Sequence, residues 1–143
     1  MSHSGKQSDE PATKALAGRR PRSQTQIDFE IEFFASILSR NPDYIDVLRV
    51  HGNNLTLTCR YEEGLKIDQR LVDLRPSDAL AHYNLACSYS LLKKITPALK
   101  ALRRALELGY HDFRYLREDQ DLANVRRDAR FRRLLREFER AGA

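Results

Sequence analysis

An internal repeat of 34 residues is the feature that most restricts how this chain can fold. Pro42 and Pro76 lie 34 residues apart, and each closes a run of apolar residues with helical spacing. Setting residues 45–78 over 79–112 without gaps pairs Leu57 with Leu91, Leu65 with Leu99, Lys66 with Lys100, Arg70 with Arg104, Asp73 with Glu107, and Leu74 with Leu108. Because such repeats bury their apolar faces only by stacking, the pattern predicts an array of helical hairpins.

The second copy carries the clearer residue pattern. It begins with a bulky residue, a leucine, a small residue and a tyrosine, which are His82, Leu85, Ala86 and Tyr89. Small, large and small residues follow at Ala98, Leu102 and Ala105. With the 34-residue period, this pattern resembles the tetratricopeptide repeat (TPR), a helix–turn–helix unit. The resemblance implies an all-α fold, an α–α superhelix (TPR solenoid) of about two and a half repeats plus C-terminal capping helices. In the first copy, His51 replaces the expected leucine and Asp68 an expected large apolar residue, which weakens its packing.

The repeat register also predicts boundaries along the chain. Residues 1–26 carry five Lys or Arg against two acids and few large apolar side chains, which predicts a basic, flexible tail. From Ile27 an apolar stripe with helical spacing begins. We expect one TPR-like domain over 27–143, made of a half repeat (27–44), two repeats (45–78 and 79–112) and a helical cap (113–143). In the half repeat, Glu30 occupies the slot of a small residue.

The segment after Gly109 is distinctive. It resembles a C-terminal extension common on bacterial TPR proteins. Asp119 and Asp121 are expected to cap short helices there. A solenoid end needs such a cover, because its last repeat otherwise leaves an apolar face in water. The residues expected to pack over that face are Leu116, Leu122, Val125, Phe131, Leu134 and Leu135.

The TPR resemblance also implies where a partner binds, because the first helix of each repeat lines the concave face of the array. The residues implied as partner contacts are Arg49, Asn53, Tyr83 and Asn84, with Cys87, Ser90 and Arg114 as lesser ones. Arg49, Asn53 and Asn84 match the residue types with which some TPR domains clamp the C-terminal carboxylates of chaperones, although Glu118 takes the place of a final basic residue. Arginine and asparagine donors hold a carboxylate by charge-assisted hydrogen bonds.

The function predicted on this basis is a non-catalytic adaptor or scaffold that holds a segment of another protein, such as an acidic C-terminus. Two alternatives remain. The first is a self-assembling subunit, since the unpaired first helix offers an oligomer interface at Phe29, Phe33, Phe34 and Ile37. The second is a nucleic-acid-associated module through the arginine-rich ends. The second is disfavoured, because Asp128, Glu137 and Glu139 interleave with the arginines, which indicates an amphipathic cap helix with a solvated face.

Other classes of protein find no support in the sequence. We see no glycine-rich phosphate loop, no nucleophile elbow and no metal-ligand cluster, so we expect no enzyme activity, no metal and no cofactor. The two cysteines form no CxxC pair and are expected to be reduced thiols. No run of 18 apolar residues and no apolar leader are present, so no membrane span is expected and the default location is the cytoplasm.

Overall fold

A computed structural model describes residues 23–142 as helices joined by short turns, with no strand among them. The helices are α1 (Gln24–Arg40), α2 (Ile45–Leu57), α3 (Tyr61–Leu74), α4 (Ala79–Leu91), α5 (Ile95–Glu107), α6 (Phe113–Glu118), a 3₁₀ turn (Gln120–Leu122), α7 (Ala123–Arg126) and α8 (Ala129–Gly142). The predicted all-α fold class is confirmed. The chain divides into two compact units. The first ends at Pro76, and the second begins at Ser77.

The first unit begins with a helix that starts earlier than the apolar pattern indicated. Ser23 provides the reason, because its hydroxyl accepts a hydrogen bond from the backbone N–H of Gln26 at 3.1 Å and so caps α1. Residues 24–26, expected in the tail, therefore belong to α1. The remainder of the predicted tail, residues 1–22, lies outside the described residues.

Helices α2 and α3 approach each other closely at two glycines. A Cβ atom added at Gly52 would lie 3.1 Å from Cγ2 of Ile67, and one added at Gly64 would lie 3.8 Å from Cβ of Leu55. The pair encloses a core that includes Leu48 and Leu71. Small residues thus perform at this crossing the role that alanines perform in the second copy of the repeat.

Polar residues enter the core of the first unit. His51 and Asp68, the two departures from the repeat pattern, are both buried. Burial, followed by the charge of Arg60, lowers the pKa of His51 from its ordinary value of 6.5. Glu30, in the slot of a small residue, accepts a hydrogen bond from the side-chain amide of Asn54 at 3.0 Å, so it joins α1 to α2.

The second unit contains the better copy of the repeat, and its two helices pack as predicted. Ala86 of α4 and Ala98 of α5 are completely buried where the helices meet. Asp78 caps α4 by accepting a hydrogen bond from the N–H of Leu80 at 2.9 Å. Gly109, with a φ of +108°, adopts the positive φ that ends α5 and turns the chain toward the C-terminal segment.

The C-terminal segment, residues 113–142, folds onto α4 and α5. The six apolar residues predicted to pack there are all buried: Leu116, Leu122, Val125, Phe131, Leu134 and Leu135. Two ion pairs hold α8 at its polar edges. Arg103 pairs with Glu137 through two hydrogen bonds of 2.9 and 3.0 Å, and Arg117 pairs with Glu139.

Candidate functional site

In the first unit, the predicted contacts Arg49 and Asn53 both lie on α2, four residues apart. Arg49 is partly exposed, whereas Asn53 is only 7 % exposed. The side-chain Nδ2 of Asn53 is buried and has no hydrogen-bond partner within the described residues. A buried amide without a partner costs about 1–3 kcal/mol relative to a satisfied one. Asn53 therefore contributes a donor that the first unit itself does not use.

In the second unit, Asn84 shows the same property more strongly. The residue is 4 % exposed, and both Oδ1 and Nδ2 are buried without a hydrogen-bond partner among the described residues. An asparagine amide combines a donor and an acceptor in one plane, so it can pair with the N–H and C=O of a peptide segment. Most buried polar side chains in proteins are hydrogen-bonded, which makes a doubly unsatisfied amide an unusual feature that needs an explanation.

Tyr83, Cys87 and Ser90 were also predicted to face a partner, but the C-terminal segment covers all three. The Tyr83 hydroxyl donates to the Asp119 carboxylate, and Cys87 Sγ lies 3.8 Å from the same carboxylate oxygen. The Ser90 hydroxyl accepts a hydrogen bond from the N–H of Val125 at 3.1 Å. These three side chains are buried within the second unit, and their polar groups are already engaged by the C-terminal segment.

A cluster of tyrosines surrounds the Asp119 carboxylate. The Tyr83 ring is stacked on Tyr110 with centroids 4.6 Å apart, and the Tyr115 ring lies 6.2 Å away at a tilt. Burial raises the pKa of Tyr83 well above 10, and the nearby Cys87 and Asp119 add to the shift. Asp119 also accepts a hydrogen bond from the N–H of Asp121 at 3.0 Å, so it caps the 3₁₀ turn as expected. The Asp119 carboxylate is therefore hydrogen-bonded at the edge of a buried stack of tyrosine rings.

Arg114 lies apart from these buried residues. Its side chain is 79 % exposed at the start of α6, and its Nε lies 3.6 Å from a carboxylate oxygen of Glu118 one turn later. Glu118 is the residue that stands where the chaperone-binding TPR domains have a basic side chain. An exposed pair of this kind is worth at most about 1 kcal/mol, so Arg114 can exchange Glu118 for another carboxylate at little cost.

The predicted oligomer interface lies on α1. Phe29 and Phe33 are 65 % and 49 % exposed, and their rings are stacked with centroids 5.8 Å apart. Phe34 and Ile37 are half-buried at the edge of this surface. Two neighbouring phenylalanines on the solvent side of a helix form an apolar patch that the first unit leaves uncovered.

Other kinds of site find no counterpart within residues 23–142. No group of three or more His, Cys, Asp or Glu side chains is placed to hold a metal ion there. No helix in this range is long and apolar enough to cross a membrane. No disulfide joins Cys59, which is exposed, to Cys87, which is buried.

Comparisons with known proteins bear on the fold. No protein-family model matches the chain. Over 83 residues, 56% of the chain, it is 37% identical to a chloroplastic protein from Arabidopsis thaliana, and it spans only 25% of that protein.

Two solved structures of MamA resemble the chain in three dimensions. The MamA RS-1 ArsTM double mutant superposes with a TM-score of 0.59 at 22% identity, over 91% of this chain and 72% of that one. MamA 41-end from Desulfovibrio magneticus RS-1 superposes with a TM-score of 0.58 at 23% identity, over 90% of this chain and 72% of that one. MamA is a helical protein of the TPR type. The protein therefore has a TPR-type helical fold, as its 34-residue repeat predicts.

Proposed function

We propose that this protein is a non-catalytic adaptor that binds a segment of another protein along the first helices of its repeats. The observation that carries the proposal is the amide of Asn84, whose two polar atoms are buried without partners among the described residues. Asn53 provides a second unsatisfied donor on the equivalent helix of the preceding repeat. Either side chain would have to turn outward to meet a peptide, whose backbone would then satisfy the amide.

The residues proposed to contact the partner are Arg49, Asn53, Asn84 and Arg114. The two arginines add positive charge, which favours a partner segment that ends in a carboxylate or carries acidic side chains. Tyr83, Cys87 and Ser90 take a supporting role in this proposal, because they fix α4 against the C-terminal segment and so hold Asn84 in place.

A pull-down from lysate tests the proposal when native protein and variants are compared by quantitative mass spectrometry. The variant Arg49→Ala/Asn53→Ala/Asn84→Ala should lose at least one protein that the native chain enriches. The matched control, Glu62→Ala/Lys66→Ala/Asp73→Ala, changes three exposed residues of α3 and should retain it. Identical eluates from the native protein and the first variant, at equal helicity, would refute the proposal.

A second candidate function is self-association through α1, which the exposure of Phe29 and Phe33 favours. The occupant we propose is a second copy of the chain. Asp28 lies in the first half of α1 and Arg40 in its last turn, so two antiparallel α1 helices would place these opposite charges together at the ends of the aromatic patch.

Sedimentation velocity at tens of micromolar tests this second candidate. Native protein should sediment as a dimer and Phe33→Glu as a monomer, because a carboxylate in the centre of the paired apolar surface would lose its hydration. The control Ser36→Glu alters an exposed position on the same helix and should weaken the dimer less. A native protein that stays monomeric across this range contradicts it.

A further inference from the structure

Helix α8 has an unusual distribution of charge. Glu137 and Glu139 are directed to Arg103 and Arg117, so its two carboxylates are already paired within the second unit. The hydrogen bonds from Arg103 lower the pKa of Glu137, which keeps that carboxylate ionised and engaged. In the sequence, Glu137 and Glu139 offset part of the positive charge of this helix. In the structure they pair with arginines of other helices, so they do not neutralise the outer face of α8.

Four arginines remain on that outer face. They are Arg132, Arg133, Arg136 and Arg140, all exposed, and none forms a hydrogen bond or a close ion pair within the described residues, although Arg133 lies near enough to Asp128 for their charges to interact. At 100° per residue, they fall within about a third of the helix circumference, opposite the buried Phe131, Leu134 and Leu135. Arg132, Arg136 and Arg140 follow one another every four residues, which is about 6 Å along the helix axis.

A groove between α5 and α8 is lined by one of these arginines, Arg133. Its volume is about 500 Å³, and its lining includes the apolar Leu99 and Leu134 together with the cationic Lys100 and Arg133. Lys100 also has no partner among the described residues, whereas Arg130 is paired with Asp128 at 3.0 Å. A second depression of about 470 Å³ shares Arg133 with the groove and reaches Arg140. Apolar side chains thus lie beside the unpaired cations.

We propose that this outer surface, the α5–α8 groove and the four arginines of α8, docks an acidic amphipathic helix of a partner protein. Carboxylates spaced four residues apart on that helix repeat about every 6 Å, which matches the spacing of Arg132, Arg136 and Arg140. Arginine binds carboxylate through two parallel hydrogen bonds, and an apolar residue of the same helix reaches the groove between Leu99 and Leu134.

The surroundings favour a protein partner over nucleic acid. No aromatic ring of α8 is presented for base stacking, because Phe131 is buried and Phe138 lies beneath the guanidinium of Arg103 at 5.7 Å. The apolar lining of the groove likewise has no counterpart on a nucleic-acid backbone. This second surface is separate from the residues assigned to the proposed adaptor site, so either can fail without the other.

Fluorescence anisotropy with the full chain tests the docking surface. The probe is a capped, labelled peptide of about 16 residues with glutamate at every fourth position and leucine on the adjacent stripe, a length of about 24 Å as a helix. Arg132→Gln/Arg136→Gln/Arg140→Gln should weaken binding at least tenfold. The control Arg40→Gln/Arg75→Gln/Arg104→Gln removes three exposed charges elsewhere and should change affinity less than threefold.

Two comparison probes complete the test. Replacing the leucines of the peptide by serine should weaken binding at least fivefold if the groove is occupied. A single-stranded RNA of about 16 nucleotides, a length that spans typical single-strand sites, should bind more weakly than the peptide near physiological salt. RNA that binds more tightly than the peptide, a serine peptide that binds equally well, or a control triple variant as weak as the α8 variant would each overturn the proposal.

Discussion

Asp119 makes the clearest energetic prediction, because its carboxylate joins two parts of the second unit. One oxygen accepts the hydrogen bond of the buried Tyr83 hydroxyl, and the other caps the 3₁₀ turn through the N–H of Asp121 at 3.0 Å. Asp119→Ala loses the cap, worth about 1 kcal/mol. It also leaves the Tyr83 hydroxyl buried without its acceptor, which costs about 1–3 kcal/mol. We expect the free energy of unfolding to fall by about 2–4 kcal/mol in total.

Urea unfolding followed by far-UV circular dichroism measures this loss. Asp119→Asn is the matched control, because its amide oxygen can still accept one of the two hydrogen bonds, and it should cost less than the alanine variant. In a double-mutant cycle with Tyr83→Phe, the two changes should be coupled by about 1 kcal/mol or more. A loss below about 1 kcal/mol for Asp119→Ala, or strictly additive effects in the cycle, would refute this account of the contact.

Two further predictions concern the first unit. Because burial lowers the pKa of His51 below 6.5, the unfolded chain takes up a proton more readily there, and stability should fall as pH drops below about 6.5. His51→Leu should reduce that loss between about pH 7 and pH 5 in thermal unfolding; an unchanged pH dependence contradicts it. Gly64→Ala should raise the free energy of unfolding by about 0.5–1 kcal/mol, because the added Cβ meets Thr56 Oγ1 at an ordinary 3.5 Å; a loss in urea unfolding contradicts it.

The repeat register was predictable because it depends on local features of the chain. Proline spacing sets the ends of the helices, and the small residues at Ala86 and Ala98 mark the place where α4 and α5 touch. The buried apolar residues of the C-terminal segment followed from the same periodic pattern. Such signals need only the residue types along the sequence, so the sequence alone indicates the TPR-type fold.

The environment of the groove-facing positions was not predictable in the same way. Tyr83 and Ser90 occupy partner-contact positions in the repeat pattern, but Asp119 and Val125, more than thirty residues later, bind them. The periodicity of one repeat contains no information about which side chains of a distant segment will contact that repeat. The signal available in the sequence was an aspartate expected to cap a short helix, and nothing in the sequence indicated that it would also bind Tyr83.

The charge of α8 shows the same limit. Counting residues gives an arginine-rich helix diluted by glutamates, but Glu137 and Glu139 pair with Arg103 and Arg117 on other helices. The face that remains is therefore more positive than the count indicates. Side-chain direction, which only the packed structure supplies, decides which charges reach solvent.

The most direct test of the adaptor proposal is a two-part measurement on Asn84→Leu. If the amide serves a bound peptide, replacing it by an apolar residue of similar size should leave the free protein as stable as the native chain or more stable by about 1 kcal/mol, since two unsatisfied polar atoms are removed. The same variant should lose the partner that native protein enriches from lysate. A variant that loses stability by more than about 1 kcal/mol, or that keeps the partner at native levels, would show that Asn84 is structural and contradict the proposed site.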